Sequence, residues 1–326
     1  MNIVLTNERG RAGSRDSGRL VPLPIFAAAT LMLAPSATSG QAWLEIPVGE
    51  VRTLAGPIEA GSGGVEVDAQ GNVYTADFGR HLSQGPMGTK VFRVTPAGDV
   101  SVFAEGFNGA SGNTIDAEGR FFQANVAGNT ISRVRGDGSL ETVVTEGLVN
   151  PVGIAFGPDG ALMVANCGIH QVARVDRSGR AHVFAEGNLF RCPNGLVAGA
   201  DGEFYASNFY NGDVLRIGPD GDVSVLATLP GGNLGHLIYS EGMLYVVARS
   251  AHQIYEVDLT GEFKVLVGSG EHGIDDGPAL EATLSFPNDL GLSPDGRVLY
   301  WNDVAVVVED GGQTLAPTVV RMLRLR

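Results

Sequence analysis

Along most of the chain, a short apolar run, a glycine-containing turn and a second apolar run recur in the same order. A polar residue follows the second apolar run in each copy. Short apolar runs bounded by glycine turns are typical of buried β-strands, and no long stretch shows helical periodicity. The pattern therefore predicts six strand-turn-strand units, at residues 65–77, 113–125, 153–166, 195–208, 237–249 and 290–303.

A second glycine turn follows each of the first five units, and alternating strands flank it. Asp-Gly and Pro-Asp-Gly turns supply the positive φ that a tight hairpin requires. Two hairpins make a four-stranded sheet, and about 40 residues per sheet is typical of a β-propeller. These turn glycines are 40, 41, 42 and 40 residues apart, at Gly98, Gly138, Gly179, Gly221 and Gly261.

The two ends of the repeat array complement each other. The last unit stops after its third strand, at 319–326, whereas an isolated strand at 51–56 resembles the fourth strands at 102–106 and 183–187. Pairing the first strand with the last would complete the final sheet and remove both open edges. The sequence therefore predicts an all-β domain over residues 43–326, a six-bladed β-propeller with four antiparallel strands per blade and an N-terminal strand that closes the last blade.

Residues 1–42 have the three parts of a secretory signal. Four arginines precede an apolar stretch at 21–34, and small residues at 36–42 follow it. The apolar stretch is shorter than the ~20 residues that span a bilayer as a helix. We expect a periplasmic or secreted protein without stable membrane insertion after cleavage. The alternatives are an uncleaved anchor or a disordered tail.

The chain is acidic, with a formal net charge of −14. Because the first 42 residues carry four arginines against Glu8 and Asp16, the acidic excess lies in the remainder. Such a surface repels phosphate backbones and anionic lipid headgroups, which argues against nucleic-acid binding. We expect a monomer whose partner is a small-molecule substrate or ligand, with a divalent cation, Ca²⁺ above all, as a possible cofactor.

In a propeller of this kind, the first strand of each blade begins, and the second ends, on the face where the central tunnel opens. Amide and carboxylate oxygens that converge there are ligands that Ca²⁺ favours. Asn194 and Asp289 are the candidate metal ligands. Alternatively, Asn and Asp at strand ends cap loops through the backbone. The candidate substrate-binding residues on this face are Ser111, Asn113, Asn208, Arg249 and Asn288.

Among the six histidines, His236 lies nearest the predicted tunnel mouth and is the candidate general base. Asp289 is the second candidate catalytic residue. A lone pocket histidine can equally be a hydrogen-bonded structural group. His170 and His252 occupy equivalent positions, each followed by Gln, and are interpreted as structural. The sequence has no Ser-His-Asp spacing and no Gly-x-Ser-x-Gly elbow.

Cys167 and Cys192 are the only cysteines. Both are predicted on the tunnel-mouth face, in adjacent blades, where they could form a disulfide or remain as two buried thiols. Three long connections, around 79–88, 269–285 and 304–317, are also expected on that face and could form a lid or substrate wall.

The repeats over residues 50–326 resemble two overlapping propeller groups. Residues 153–166 resemble an NHL repeat, whereas 192–196 (Cys-Pro-Asn-Gly-Leu) and 111–120 resemble the regucalcin/gluconolactonase family of metal-dependent lactonases. The resemblance implies Asn194 as a metal ligand. The family also uses a glutamate in blade one and an aspartate in blade five, where this chain has Gly63 and Gly235. Ser111 replaces the usual asparagine of the second motif.

Three functions are compatible with these residues. The first is a metal-dependent lactone or ester hydrolase at the tunnel mouth, with Asn194 and Asp289 as ligands and His236 as the base. The second is a non-catalytic ligand- or protein-binding NHL propeller. The third is a lyase or cyclase of a biosynthetic pathway. Fold alone does not choose among them.

Overall fold

The computed structural model describes residues 46–79, 87–305 and 316–326, and the regular structure of these residues is almost entirely β. The described strands form six sheets, which confirms the predicted six-bladed propeller. The predicted signal segment, residues 1–42, lies outside the described residues, as do residues 80–86 and 306–315 of two predicted long connections. Among the described residues, no helix has the length and apolar character required to span a membrane.

Each of the first five blades is a four-stranded antiparallel sheet whose strands follow chain order from the tunnel outward. Blade one contains β2 (Val65–Val67), β3 (Val73–Ala76), β4 (Lys90–Val94) and β5 (Val100–Glu105). Blade two contains β6 (Ala110–Ile115), β7 (Phe121–Asn125), β8 (Thr130–Val134) and β9 (Leu140–Val144). Blade three contains β10 (Pro151–Phe156), β11 (Leu162–Asn166), β12 (Gln171–Val175) and β13 (Ala181–Glu186). Blade four contains β14 (Pro193–Ala198), β15 (Phe204–Asn208), β16 (Asp213–Ile217) and β17 (Val223–Thr228). Blade five contains β18 (Leu234–Ser240), β19 (Met243–Ala248), β20 (Gln253–Asp258) and β21 (Phe263–Val267).

Blade six is closed by the N-terminal strand, as predicted. Its strands are β23 (Phe286–Leu292), β24 (Val298–Val304), β25 (Thr318–Arg324) and β1 (Glu50–Ile58). Val51 of β1 pairs with Leu323 of β25 in an antiparallel register.

Blade six has its four predicted strands, and a short fifth strand is added at its outer edge. The short strand β22 (Gly277–Pro278) pairs with Glu50 and Val51 on the outer edge of β1. It belongs to the long connection between blades five and six. By pairing with β1, it covers an edge that would otherwise present free backbone groups.

Apolar side chains fill the spaces between neighbouring blades. Between blades three and four, for example, Met163, Phe190 and Leu215 are fully buried in one cluster. Full burial of such a side chain stabilises the fold by about 1.5–3 kcal/mol. The blades are therefore held radially by packing, and their innermost strands surround the tunnel.

Glycines let the innermost strands approach each other closely. A Cβ on Gly112 would lie 2.5 Å from the carbonyl oxygen of Val152, and one on Gly153 would lie 2.4 Å from that of Asn194. Neither position tolerates a side chain without backbone movement. At this level of the tunnel the inner strands contribute glycine in four blades, and they contribute His236 in blade five and Asp289 in blade six; the four glycines are Gly64, Gly112, Gly153 and Gly195.

Candidate functional site

A cavity of about 240 Å³ lies at the tunnel mouth. We call it the mouth pocket. Starts of innermost strands and ends of second strands supply its walls, as the sequence predicts for this face. The residues that line it are Ser62, Phe78, Ser111, Val126, Asn150, Val152, Cys167, Cys192, Asn194, Phe209, Tyr210, Arg249 and Asn288.

Four of the predicted substrate or metal residues, Ser111, Asn194, Arg249 and Asn288, come together in the mouth pocket. The side-chain amides of the two asparagines bridge neighbouring blades. Asn194 Nδ2 donates to the Leu234 carbonyl at 2.9 Å, and Asn288 Nδ2 donates to that of Gly63 at 3.0 Å. These bonds fix both amides, so the polar wall of the pocket is preorganised.

Arg249 begins a short 3₁₀ helix, Arg249–Ala251, directly after β19. Its side chain is buried, with only 6% of the residue exposed. Nη1 donates to Asn288 Oδ1 at 2.7 Å, and the guanidinium carbon lies 5.7 Å from the centre of the Phe209 ring. Burial lowers the pKa of Arg249 to about 10, so the guanidinium remains charged near neutral pH. No carboxylate among the described residues pairs with Arg249 within 4.0 Å.

Asn208 does not line the mouth pocket. Its Oδ1 accepts from the Arg191 backbone N–H at 2.9 Å, and its Nδ2 donates to the Leu189 carbonyl at 2.9 Å. Asn166 caps the preceding loop in the same way, through Val149 N–H and the Gly147 carbonyl. For both residues, loop capping, the alternative given by the sequence, describes the observed contacts.

The strand register explains why Arg249, unlike Asn208, faces the pocket. Pro193 pairs with Asn208 in blade four, whereas the equivalent Leu234 pairs with Ala248 in blade five. Arg249 is therefore the counterpart of Phe209, one residue beyond the asparagines with which the sequence grouped it. The pocket-facing ring of second-strand ends comprises Phe78, Val126, Cys167, Phe209 and Arg249. Sequence reasoning missed Phe209, which the paired register would have indicated.

The two cysteines form a disulfide, with Cα atoms 4.1 Å apart. Cys167 follows β11 and Cys192 precedes β14, so the bond joins blades three and four at the wall of the mouth pocket. His170 Nδ1 accepts a hydrogen bond from the Cys192 backbone N–H at 2.9 Å. His170 and His252 both adopt φ of 55° at equivalent turns, in agreement with their structural interpretation.

His236 and Asp289 lie one residue deeper than the mouth ring, at the level of the four tunnel glycines. His236 Nδ1 is 3.2 Å from Asp289 Oδ2, and both residues are 5% exposed. The ring reaches towards the opposite blade, because a Cβ on Gly112 would lie 3.0 Å from its Cε1. His236 therefore fills the tunnel at this level, in space that the facing glycine leaves free.

Burial determines the protonation of this pair. Desolvation, and then the positive charge of Arg249, lowers the pKa of His236 to about 3, so the imidazole is neutral near pH 7. Burial also raises the pKa of Asp289, although backbone N–H groups of Val65 and Leu290 donate to its oxygens at 2.9 and 2.7 Å. If Nδ1–H donates to Asp289, Nε2 is left as an unprotonated acceptor, and it has no hydrogen-bond partner among the described residues.

A second cavity, of about 270 Å³, lies beyond His236 and contains Glu66, Asn113, Thr114, His236 and Asp289 in its wall. Burial raises the pKa of Glu66 to about 7. Asn113 Oδ1 is buried without a hydrogen-bond partner among the described residues. Asn113 thus lines a different cavity from Ser111, Asn194, Arg249 and Asn288. The predicted site residues fall into two groups, one for each cavity, and Asn208 belongs to neither.

The described residues do not fit a divalent cation at the mouth. No Asp or Glu among them lines the mouth pocket, Arg249 places a positive charge there, and Asn194 and Asp289 line different cavities. Nor do they include a group of three or more His, Cys, Asp or Glu side chains arranged to hold a metal. Backbone packing excludes the two family carboxylates, because a Cβ on Gly63 or Gly235 would lie 2.2 Å from a neighbouring carbonyl oxygen.

Comparison with known proteins gives little at the sequence level. No known family's sequence model matches the chain. Teneurin-3 of Mus musculus is 30% identical over 142 residues, which are 36% of this chain and 5% of that protein. The chain thus spans about one twentieth of the length of this curated relative.

Solved structures match over most of the chain. A gluconolactonase from Xanthomonas campestris has a TM-score of 0.65 at 18% identity, covering 87% of this chain and 93% of that one. The virginiamycin B lyase of Staphylococcus aureus has a TM-score of 0.55 at 14% identity, covering 81% and 95%. A Bacteroides thetaiotaomicron protein of unknown function has a TM-score of 0.66 at 14% identity, covering 84% and 75%. At these identities the likeness shows the fold alone: the chain is a six-bladed β-propeller whose fold is similar to the solved structures of a gluconolactonase and of virginiamycin B lyase.

Proposed function

We propose that this propeller is a small-molecule hydrolase of the lactonase type, which binds a lactone or ester in the mouth pocket. The observation that carries the proposal is the buried contact between His236 Nδ1 and Asp289 Oδ2, at 3.2 Å, one residue below a preorganised polar pocket. The likeness to a gluconolactonase propeller supports the choice of carbonyl substrate.

In this proposal His236 Nε2 takes a proton from water as the water attacks the substrate carbonyl, and the imidazolium returns that proton to the leaving oxygen as the ester C–O bond breaks. Asp289 accepts the Nδ1–H bond, which sets the tautomer and stabilises the imidazolium that forms. Ser111 and Asn194, whose side chains reach the pocket from blades two and four, orient the substrate by hydrogen bonds. The low pKa of His236 keeps the ring neutral above about pH 3. The rate therefore carries no histidine titration between pH 5 and 8.

The test is turnover of a panel of sugar lactones and aryl esters by the full chain, with EDTA or with added CaCl₂. We expect hydrolysis that EDTA leaves unchanged and that His236→Gln lowers about 100-fold or more. His182→Gln is the matched control, because His182 is exposed at a blade edge and pairs with Asp176. Activity that requires added metal, or that survives His236→Gln, would contradict this mechanism.

A specific observation favours a second candidate, a propeller that binds a ligand without transforming it. The described lining of the mouth pocket contains no carboxylate and no imidazole, so the acid–base groups lie one layer below the bound ligand. Ligand binding by calorimetry, with no turnover of any lactone or ester in the panel, would select this alternative.

A further inference from the structure

Arg249 is the exception in its ring. The four other second-strand ends in the wall of the mouth pocket are Phe78, Val126, Cys167 and Phe209, of which three are apolar and the fourth is in the disulfide. A guanidinium in place of an apolar side chain brings a full charge into a position that the fold otherwise fills with packing groups. Such a substitution costs stability unless the charge has a partner.

The protein provides partners for only part of the Arg249 guanidinium. The guanidinium has five N–H donors. The described contacts are one hydrogen bond, to Asn288, and a face-on approach to Phe209. Asn288 contributes an amide oxygen and no counter-charge, and its Nδ2 is committed to the Gly63 carbonyl. Arg249 is thus 94% buried, held in one orientation, and without a described carboxylate partner.

A second buried arginine, Arg321, differs from Arg249 because it pairs with carboxylates. Arg321, which is fully buried, pairs with Asp303 at 3.3 Å and with Asp276 at 3.0 Å. Buried cations are ordinarily paired in this way. Arg249 differs in that its free side faces a cavity large enough for a small molecule, so the partner can come from outside the chain.

We propose that Arg249 binds an anionic group, a carboxylate or a phosphate, of the small molecule in the mouth pocket, and that the guanidinium is the positive charge of this site in place of a divalent cation. The proposal rests on the proposed function only in placing the ligand in the mouth pocket. Guanidinium binds both anions through paired N–H···O bonds in a low-dielectric site. The acidic remainder of the surface repels anions elsewhere, which confines anion binding to this pocket.

The test is calorimetric titration of the EDTA-treated full chain with four probes. D-Gluconate carries a carboxylate, D-glucose 6-phosphate carries a phosphate, D-glucitol is uncharged, and CaCl₂ supplies the cation. We expect at least one of the two anions to bind about tenfold or more tightly than D-glucitol, with an affinity that falls as NaCl is added, and no binding of Ca²⁺ in the pocket. Comparison of the two anions assigns the ligand to the carboxylate or the phosphate class.

Variants separate binding from folding. Arg249→Met keeps the length of the side chain and removes the charge, and we expect it to weaken the preferred anion about 30-fold while D-glucitol is unaffected. Arg180→Met, at an exposed position beside Glu146, is the matched control and should leave anion binding unchanged. Arg249→Lys, which keeps the charge, should restore part of the affinity. Thermal unfolding of each variant shows whether it is folded.

The two proposals fail separately. If neither anion binds more tightly than D-glucitol, or if Arg249→Met binds the anion as the native chain does, the inference about Arg249 is wrong even where lactones are hydrolysed. If no lactone or ester is turned over but the anion binds through Arg249, only the hydrolase proposal falls. If Arg249→Met binds Ca²⁺ more tightly than the native chain does, the guanidinium holds the position of a cation, which supports the proposal. If the native chain binds Ca²⁺ and the anion together, without competition, the guanidinium does not stand in place of a divalent cation, and that part of the proposal is wrong.

Discussion

Among single side chains, the buried Arg321 should contribute most to the stability of the closed propeller. Its Nη1 donates to the Thr283 carbonyl at 2.6 Å and lies 3.3 Å from Asp303 Oδ2. Its Nη2 donates to Asp276 Oδ1 at 3.0 Å, and Asp276 in turn accepts from the Thr53 backbone N–H of β1 at 2.8 Å. One guanidinium thus joins β25, β24, the connection before blade six and, through Asp276, the closing strand.

Arg321→Met would leave Asp303 buried and unpaired, which costs about 3–5 kcal/mol in the free energy of unfolding. Burial already raises the pKa of Asp303 to about 7, and the charge of Arg321 opposes this rise. Without Arg321, Asp303 would be protonated over a wider pH range, so the variant should lose further stability as pH rises above 7. Asp303→Asn combined with Arg321→Met removes both charges and should cost less than the sum of the single changes.

Urea unfolding followed by tryptophan fluorescence measures this directly, because Trp301 is fully buried with Arg321 5.6 Å from its ring centre. Arg52→Met is the matched control on β1: its pair with Glu50 is half-exposed, and its loss should change the stability by less than about 1 kcal/mol. A loss below about 1 kcal/mol for Arg321→Met, or full additivity in the double variant, would refute this account of the closure.

Three further outcomes are expected. Replacing Cys167 and Cys192 by Ala should lower the free energy of unfolding by about 3 kcal/mol relative to the oxidised native chain, and reduction of the native chain should lower it similarly. A variant as stable as the oxidised chain would show that the disulfide constrains nothing. Gly112→Ala should lower the melting temperature, because its Cβ would lie 2.5 Å from a carbonyl oxygen. Gly136→Ala is the control and should leave the melting temperature unchanged, because its Cβ would meet nothing within 4 Å. The opposite order would contradict the close approach of the inner strands at the four tunnel glycines. Burial raises the pKa of Glu66 from 4.5 to about 7, so the contribution of Glu66 to stability is complete below pH 4.5 and is lost as pH rises through 7. The melting temperature should therefore fall over this pH range, and Glu66→Gln should reduce that fall. An unchanged pH profile in the variant would assign the fall to other groups.

The fold could be predicted from the sequence because its signals are local and repeated. Glycine turns at a constant spacing identify hairpins, and the unpaired strands at the two ends identify the closure. The fifth strand of blade six, Gly277–Pro278, could not be predicted in this way. Two residues with no apolar alternation become a strand only because the edge of β1 is available.

The site could be predicted only in part, because it depends on register to a single residue. β19 has six residues and β15 has five, so counting from the turns aligned Arg249 with Asn208 and not with Phe209. The pairing of Leu234 with Ala248 corrects that alignment. The contact between His236 and Asp289 joins blades five and six and has no local signal in the chain, although both residues replace glycine at the same level of the repeat.

The closure by β1 has a consequence for the order of events during biosynthesis. Residues 50–58 leave the ribosome before any blade, yet their main partner, residues 318–324, is synthesised after every other strand of the propeller. Five sheets can assemble from neighbouring segments as the polypeptide lengthens, whereas the sixth must wait until residues 318–324 have been synthesised. During that interval the early segment must be kept from premature association, so maturation should be most sensitive to chaperone supply before the two ends meet.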